Sequence, residues 1–229
     1  MLFRVRVVTS AFALETGRQS GYSKGAVLTA ASALMTLLII GIILFLGLHL
    51  VRVVAPGFRE QVIVSLGKGP WMGLYSLVSL VGLCLIVYGF GQARATTGML
   101  YNPPMFMAHI SLLLMLFAVI CLVAGFLPAG RIAVAVKHPQ VLAIKIWAFA
   151  HLLANGETSS VLLFGSFLAW AVIMRISLKR RERAGENVLP VFKSAGNDVV
   201  AIIFGLVIYG LFVWKLHEWL IGVSPIVMG

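Results

Sequence analysis

Five histidines lie in or beside apolar runs: His49, His109, His138, His151 and His217. An imidazole has two ring nitrogens, and while one donates a hydrogen bond the other is free to accept one or to bind a metal. At membrane depth such a group is costly unless it is bonded or ligating, so each of the five is a candidate site residue. For a single histidine the ordinary role is an interhelical hydrogen bond. Five in so short a chain point to at least two sharing a ligand. His49 sits in the stretch FLGLHLVR, residues 45–52, and Arg52 shares its face one turn further along. That pairing suits a haem iron and its propionate, and it suits an anionic lipid headgroup as well. His151 belongs to a stripe of Gln140, Ile144, Trp147 and His151, continued by Asn155, whose 4, 3, 4 spacing puts an amide, an indole and an imidazole on one helix face. His138 precedes Pro139 and is expected to cap that helix. By helical angle it points away from His151, on the side shared by Lys145. His109 and His217 fall near the ends of apolar runs. A headgroup-level contact is expected for the first, and for the second a solvated helix end with Lys215 and Glu218 paired at i, i+3.

Other chemistries lack their residues. Cys84 and Cys121 stand in the middle of apolar runs, where a thiol serves as a small buried hydrophobe, and no CxxC, HExxH or phosphate-cradling glycine loop occurs. Seven acidic residues, few of them at membrane depth, argue against a carboxylate-based ion pump.

The elements that position these groups follow from composition. Hydrophobic residues make up 61% of the 229 and charged residues 11%, against about a quarter charged in a soluble domain. Lipid accommodates that surface and water does not. The net charge of +11 comes from basic residues in the loops between apolar runs, which is a membrane pattern and excludes a nucleic-acid partner. A spanning helix needs about 20 apolar residues. Six runs qualify, the fourth being short: from 26 or 35 to 54, 71–91, 105–127, 139–155, 158–176 and 199–221. Asn102-Pro103-Pro104 introduces the third, Pro139 opens the fourth, and Asn155-Gly156-Glu157 turns the fourth into the fifth as a tight hairpin. The expectation is an all-α polytopic membrane bundle of about six transmembrane helices, a single domain over residues 35–229. Residues 1–34 are expected to be a disordered tail or an over-extended start. The loops after the first, third and fifth runs carry three, two and six basic residues, whereas the opposite side has Arg94 and the four of the N-terminal segment. That asymmetry places the three basic loops in the cytoplasm and the C-terminus outside, in the periplasm if the chain sits in a bacterial inner membrane.

These residues carry a resemblance. The stretches LFLGLHLVR (44–52), GLYSLVSLVG (73–82), KHP (137–139), KIWAFAHLLANG (145–156), LFGSFLAWA (163–171) and RISLKRR (175–181) resemble the NnrU family of bacterial membrane proteins associated with denitrification. The likeness is dense from 35 to 183 and looser over the last run. That family is similar to the plant zeta-carotene isomerase, a membrane enzyme that uses haem b for a cis-to-trans double-bond change. The resemblance implies haem b, with the iron held by His49 and His151, and with Arg52, His138 and Trp147 around the cofactor. Lys137 stands where the family usually has arginine before His-Pro. It implies a redox-gated, isomerase-like reaction on an apolar small molecule, with membrane lipid as a further partner. Counting helical rise puts His49 near the cytoplasmic side and His151 toward the outside, so one iron would require the fourth helix to be sunk or tilted. Two other functions stay open. Basic-His-Pro before a helical hairpin also resembles isoprenylcysteine-type membrane methyltransferases, which bind S-adenosylmethionine, although Arg175 to Arg183 stand where those enzymes place acids. A non-catalytic accessory factor for nitrite and nitric oxide reduction is the third.

Overall fold

Where an apolar run is bounded by proline, glycine or charge, the backbone has no partner but itself in lipid, and it closes into helix. The computed structural model describes residues 20–186 and 189–226, with side chains from residue 32 onward. Among them five helical segments are long and apolar enough to cross a membrane. These are Ser32–Val54 within α1 (Ser20–Val54), α3 (Lys68–Thr96), α4 (Met105–Ala124), α7 (Thr158–Arg183) and the composite Gly196–Ile221. The composite joins α8 (Gly196–Leu211), a π-helical turn (Phe212–Leu216) and α9 (His217–Ile221). The sixth run forms the shorter apolar helix α6 (Pro139–Ala154), with His138 and Asn155 as its flanking caps. Two short helices, α2 (Pro56–Leu66) and α5 (Arg131–Val136), occupy segments that read as loops in the sequence. The tail expected at residues 1–34 falls outside the described residues up to residue 19, and α1 is helical from Ser20.

Contacts order the helices as α3, α1, α7, α6, α4, α8. Two apolar surfaces gain little by meeting in lipid, so close backbone approach must hold them together. Glycines supply it between α1 and α3: a Cβ on Gly82 would stand 2.9 Å from the Phe45 nitrogen, and one on Gly89 2.7 Å from that of Leu38. The buried centre consists of Leu38, Ile42 and Leu46 of α1, Ile86 of α3, and Leu163, Phe164, Trp170 and Ala171 of α7, with Ile144 and Trp147 of α6 packed against it.

One end of the bundle gathers the basic loops. There Lys137 pairs with Glu182, and Asp198 of α8 accepts hydrogen bonds from the Arg131 nitrogen at 2.7 Å and the Ile132 nitrogen at 3.0 Å. Asp198 thus caps α5 from another helix, lying so close to Gly130 that a side chain there would meet it. Asp198→Ala should lower stability by about 1–2 kcal/mol, read as a lower midpoint of thermal unfolding in detergent with the same helix content. The other end is the hairpin end, where α6 and α7 turn on Asn155-Gly156-Glu157. The segment after α3 lies across that turn, with Leu100 N–H bonding the Gly156 carbonyl at 2.8 Å and Thr158 N–H bonding the Gly98 carbonyl at 3.0 Å.

Candidate functional site

His151 stands one turn before the hairpin end of α6. Its Nδ1 is 2.9 Å from the Trp147 carbonyl. A carbonyl only accepts, so Nδ1 carries the proton and the Nε2 lone pair is left free. The ring is packed by Phe164 (centroids 4.5 Å apart) and Trp147 (5.3 Å), and Asn155 Nδ2 ties the residue's carbonyl at 2.8 Å. The stripe read in the sequence therefore faces the interior over Ile144, Trp147 and His151, while Gln140 reaches across to the Gly125 carbonyl of α4 at 3.0 Å.

His49 is prepared in the same way. Its Nδ1 donates to the Phe45 carbonyl at 2.6 Å, leaving Nε2 free, among the rings of Phe45 (4.4 Å), Tyr75 (5.3 Å) and Trp170 (6.3 Å). Trp170 buries its indole N–H beside it without a partner. Arg52, one turn on, is exposed at the basic end. His49 and His151 belong to one aromatic column but do not meet in it. The ring contacts run from His151 to Trp147, from Trp147 to Phe167 (5.3 Å), from Phe167 to Phe45 (6.0 Å) and then to His49. Their neighbours on α7, Phe164 and Trp170, are six residues apart, about 9 Å of helical rise. The depth difference counted from the sequence thus persists in the fold.

A third imidazole fills the place near His151. His217 of α9 lies with its ring centroid 6.5 Å from that of His151 and the two planes 25° apart. Its Nδ1 donates to the Val223 carbonyl at 2.7 Å, so it too presents Nε2. The expected Lys215–Glu218 pair is present at 2.8 Å, yet His217 is only partly exposed and turns toward the bundle instead of serving a solvated end. The cause is the π-helical turn. Ala201, Gly205 and Tyr209 form the face of α8 against α4, where Tyr209 Oη donates to the Leu112 carbonyl at 3.0 Å. In an unbroken α-helix His217 would fall about 80° from Tyr209. One extra residue in a turn sets the face back by about 100°, which returns His217 to the packed side. Spacing alone could not reveal this, since helical phase counted through the π turn gives the wrong face.

His138 goes elsewhere. It is the N-cap residue of α6 but makes no side-chain cap hydrogen bond, contrary to the capping role its position suggests. It lies thirteen residues, about 20 Å, from His151, at the basic end with Lys145 and Arg175. Burial first, and then the Arg175 guanidinium, hold its imidazole below the ordinary value, so it is neutral at pH 7. His109 is exposed on α4.

The donor set decides which metal chemistry these rings could serve. Among the described residues no three of His, Cys, Asp and Glu come together. An ion held only by side chains needs three or four ligands. A haem iron takes four from its porphyrin and needs one or two imidazoles from the chain, each oriented by a bond at the other nitrogen. His151 with a second histidine fits that requirement.

A family model described as NnrU protein matches residues 37–225. No curated protein and no solved structure matches the chain.

Proposed function

The chain belongs to the NnrU family, and on that premise we propose that it is a multi-pass membrane protein that binds haem b, and that His151 would hold the iron. One observation carries this reading: a tautomer-fixed imidazole in an aromatic interior, with a second one 6.5 Å away, centroid to centroid. Ring centres 6.5 Å apart would let both imidazoles hold one iron. The resemblance names His49 for the place opposite His151, and the geometry supports His217. We assign that place to His217, which shares His151's end of the bundle. His49 reaches the same iron only if Trp147, Phe167 and Phe45 part and α1 shifts outward, and only then does Arg52 serve a propionate.

A haem held there would supply redox-variable iron chemistry. The chain's own residues do the rest. The Trp147 carbonyl fixes the tautomer and orientation of the His151 ring through Nδ1. Trp147, Phe164 and Phe167 exclude water and offer an apolar wall to a substrate entering from lipid. This suits the isomerase-like reaction on an apolar small molecule that the resemblance implies, and it leaves the denitrification link as the setting in which such a protein works. The basic end faces the cytoplasm of a bacterial inner membrane and the C-terminus faces the periplasm, as the basic-residue asymmetry supports. The test is an optical spectrum of the purified, detergent-solubilised protein, oxidised and then reduced. A Soret band with haem in equal proportion to protein is expected, and its absence from protein produced with ample haem would overturn the reading.

A further inference from the structure

A second polar site, independent of the haem reading, lies at the basic end. It begins with Lys137, which among the described non-glycine residues alone has a positive φ, at 66° with ψ −43°. The His138 nitrogen donates to the Val136 carbonyl across it at 2.8 Å. This is the rare, strained form of the γ-turn. A backbone held in such a state is a pointer to function when something nearby needs the placement it produces.

That placement brings His138 into a cavity of about 230 Å³, between α5, α6 and α7, lined by His138, Lys145 and Arg175 with Val136, Val141 and Leu142 as its apolar wall. Lys145 is seven residues after His138, which puts both on one face of α6. Two polar atoms here are buried without a partner, His138 Nε2 and Arg175 Nη1. An unmet donor on a guanidinium is among the costlier things a fold can bury. The nearby acid, Glu182, pairs with Lys137 and also acts on His138 and Arg175, but it does not line the cavity. The positive end of the α6 dipole adds to the field. Two cations, an idle imidazole nitrogen and a helix N-terminus thus converge on a space with no anion of the chain's own free to fill it.

We propose that this cavity is an oxyanion site for a phosphate group, gripped by Arg175 and Lys145 and bonded by His138 Nε2. Arginine matches phosphate with two parallel donors, while lysine serves it as a point charge. The space takes a tetrahedral oxyanion with several waters, at about 30 Å³ per water. Val136, Val141 and Leu142 suit the carbon skeleton attached to a phosphoester. The phosphate comes either from an anionic phospholipid headgroup of the adjoining leaflet or from a free phosphate.

The full-length protein is reconstituted into nanodiscs of phosphatidylcholine with one-fifth phosphatidylglycerol, and retained lipid is read by native mass spectrometry. Thermal midpoints in phosphatidylcholine alone, with and without inorganic phosphate, form the second arm. A retained preference for phosphatidylglycerol of about tenfold, lost in Arg175→Gln and in Lys145→Gln but kept in Lys179→Gln, establishes the site with lipid as its source. Stabilisation by inorganic phosphate, lost in the same variants and without lipid preference, establishes it with free phosphate as the source. His138→Phe is made separately, so that misfolding of an Arg175 variant leaves the question decidable. Wild-type behaviour in all three cavity variants would overturn the proposal. So would stabilisation by S-adenosylmethionine where phosphatidylglycerol and phosphate have no effect.

Discussion

Protein carrying His151→Ala is expected to be purified folded but without a Soret band, its haem content at least about tenfold below the wild type. The direction follows from what the residue does in each state. In the folded chain its imidazole makes one hydrogen bond to the Trp147 carbonyl and packs on Phe164 and Trp147. Truncation loses that bond, worth about 1 kcal/mol, and leaves a cavity costing about 2–3 kcal/mol. A bundle of this size with its α1–α3 and α4–α8 interfaces untouched survives that, so helix content by circular dichroism and elution on size exclusion should match the wild type. The haem loses far more, because no other free imidazole stands at that position. Free imidazole added to the variant, entering the space the ring vacated, should restore part of the band. A variant that keeps full haem content removes His151 from the site.

The second large effect is expected at a residue that touches no ligand. Gly156→Val should cost about 3–5 kcal/mol and lower haem content with it. Gly156 does not have a positive φ, so the need for glycine is spatial: a Cβ here would land on the Tyr101 carbonyl. The turn is pinned on both sides. Leu100 N–H bonds the Gly156 carbonyl at 2.8 Å, Tyr101 Oη donates to the carbonyls of Leu152 and Asn155, and Thr97 Oγ1 donates to Ser159 Oγ at 3.0 Å. Displacing the turn forfeits several of these bonds at about 1 kcal/mol each, in addition to the overlap. Asn155 is also bonded to the His151 carbonyl, so movement of the turn passes directly to the turn of α6 that carries His151. A scan of thermal unfolding in detergent, followed by Soret absorbance, checks both halves. An unchanged midpoint would show that the close packing of segment 97–101 on the hairpin carries no weight.

The six apolar runs were legible because lipid leaves a long apolar segment no choice but helix, and because Pro139 and Asn155-Gly156 mark the ends of α6 in the way helices ordinarily start and stop. Gly156 was legible as a stop but for another reason: it makes room for Tyr101. The short helices α2 and α5 escaped because charge interrupts them, at Arg59 and Glu60 in α2 and at the Arg131 start of α5, and neither has an apolar stripe long enough to show a period. The shared side of His138 and Lys145 could be read from helical angle. What delivers His138 there could not, since nothing in a lysine announces a positive φ. His217 illustrates the same limit at the other end. Its identity and its neighbours Lys215 and Glu218 were plain, but the π-helical turn before it resets the phase, and only three-dimensional contact brings it to His151.

The assignment of two imidazoles from α6 and α9 to one iron is tested most directly by electron paramagnetic resonance of the oxidised protein, comparing His217→Ala with His49→Ala. Loss of a strong axial nitrogen ligand converts ferric haem from low spin to high spin. A low-spin signal is expected in the wild type, high spin in His217→Ala, and an unchanged low-spin signal in His49→Ala. High spin in His49→Ala with His217→Ala unchanged would contradict the assignment, and would return the second ligand to α1.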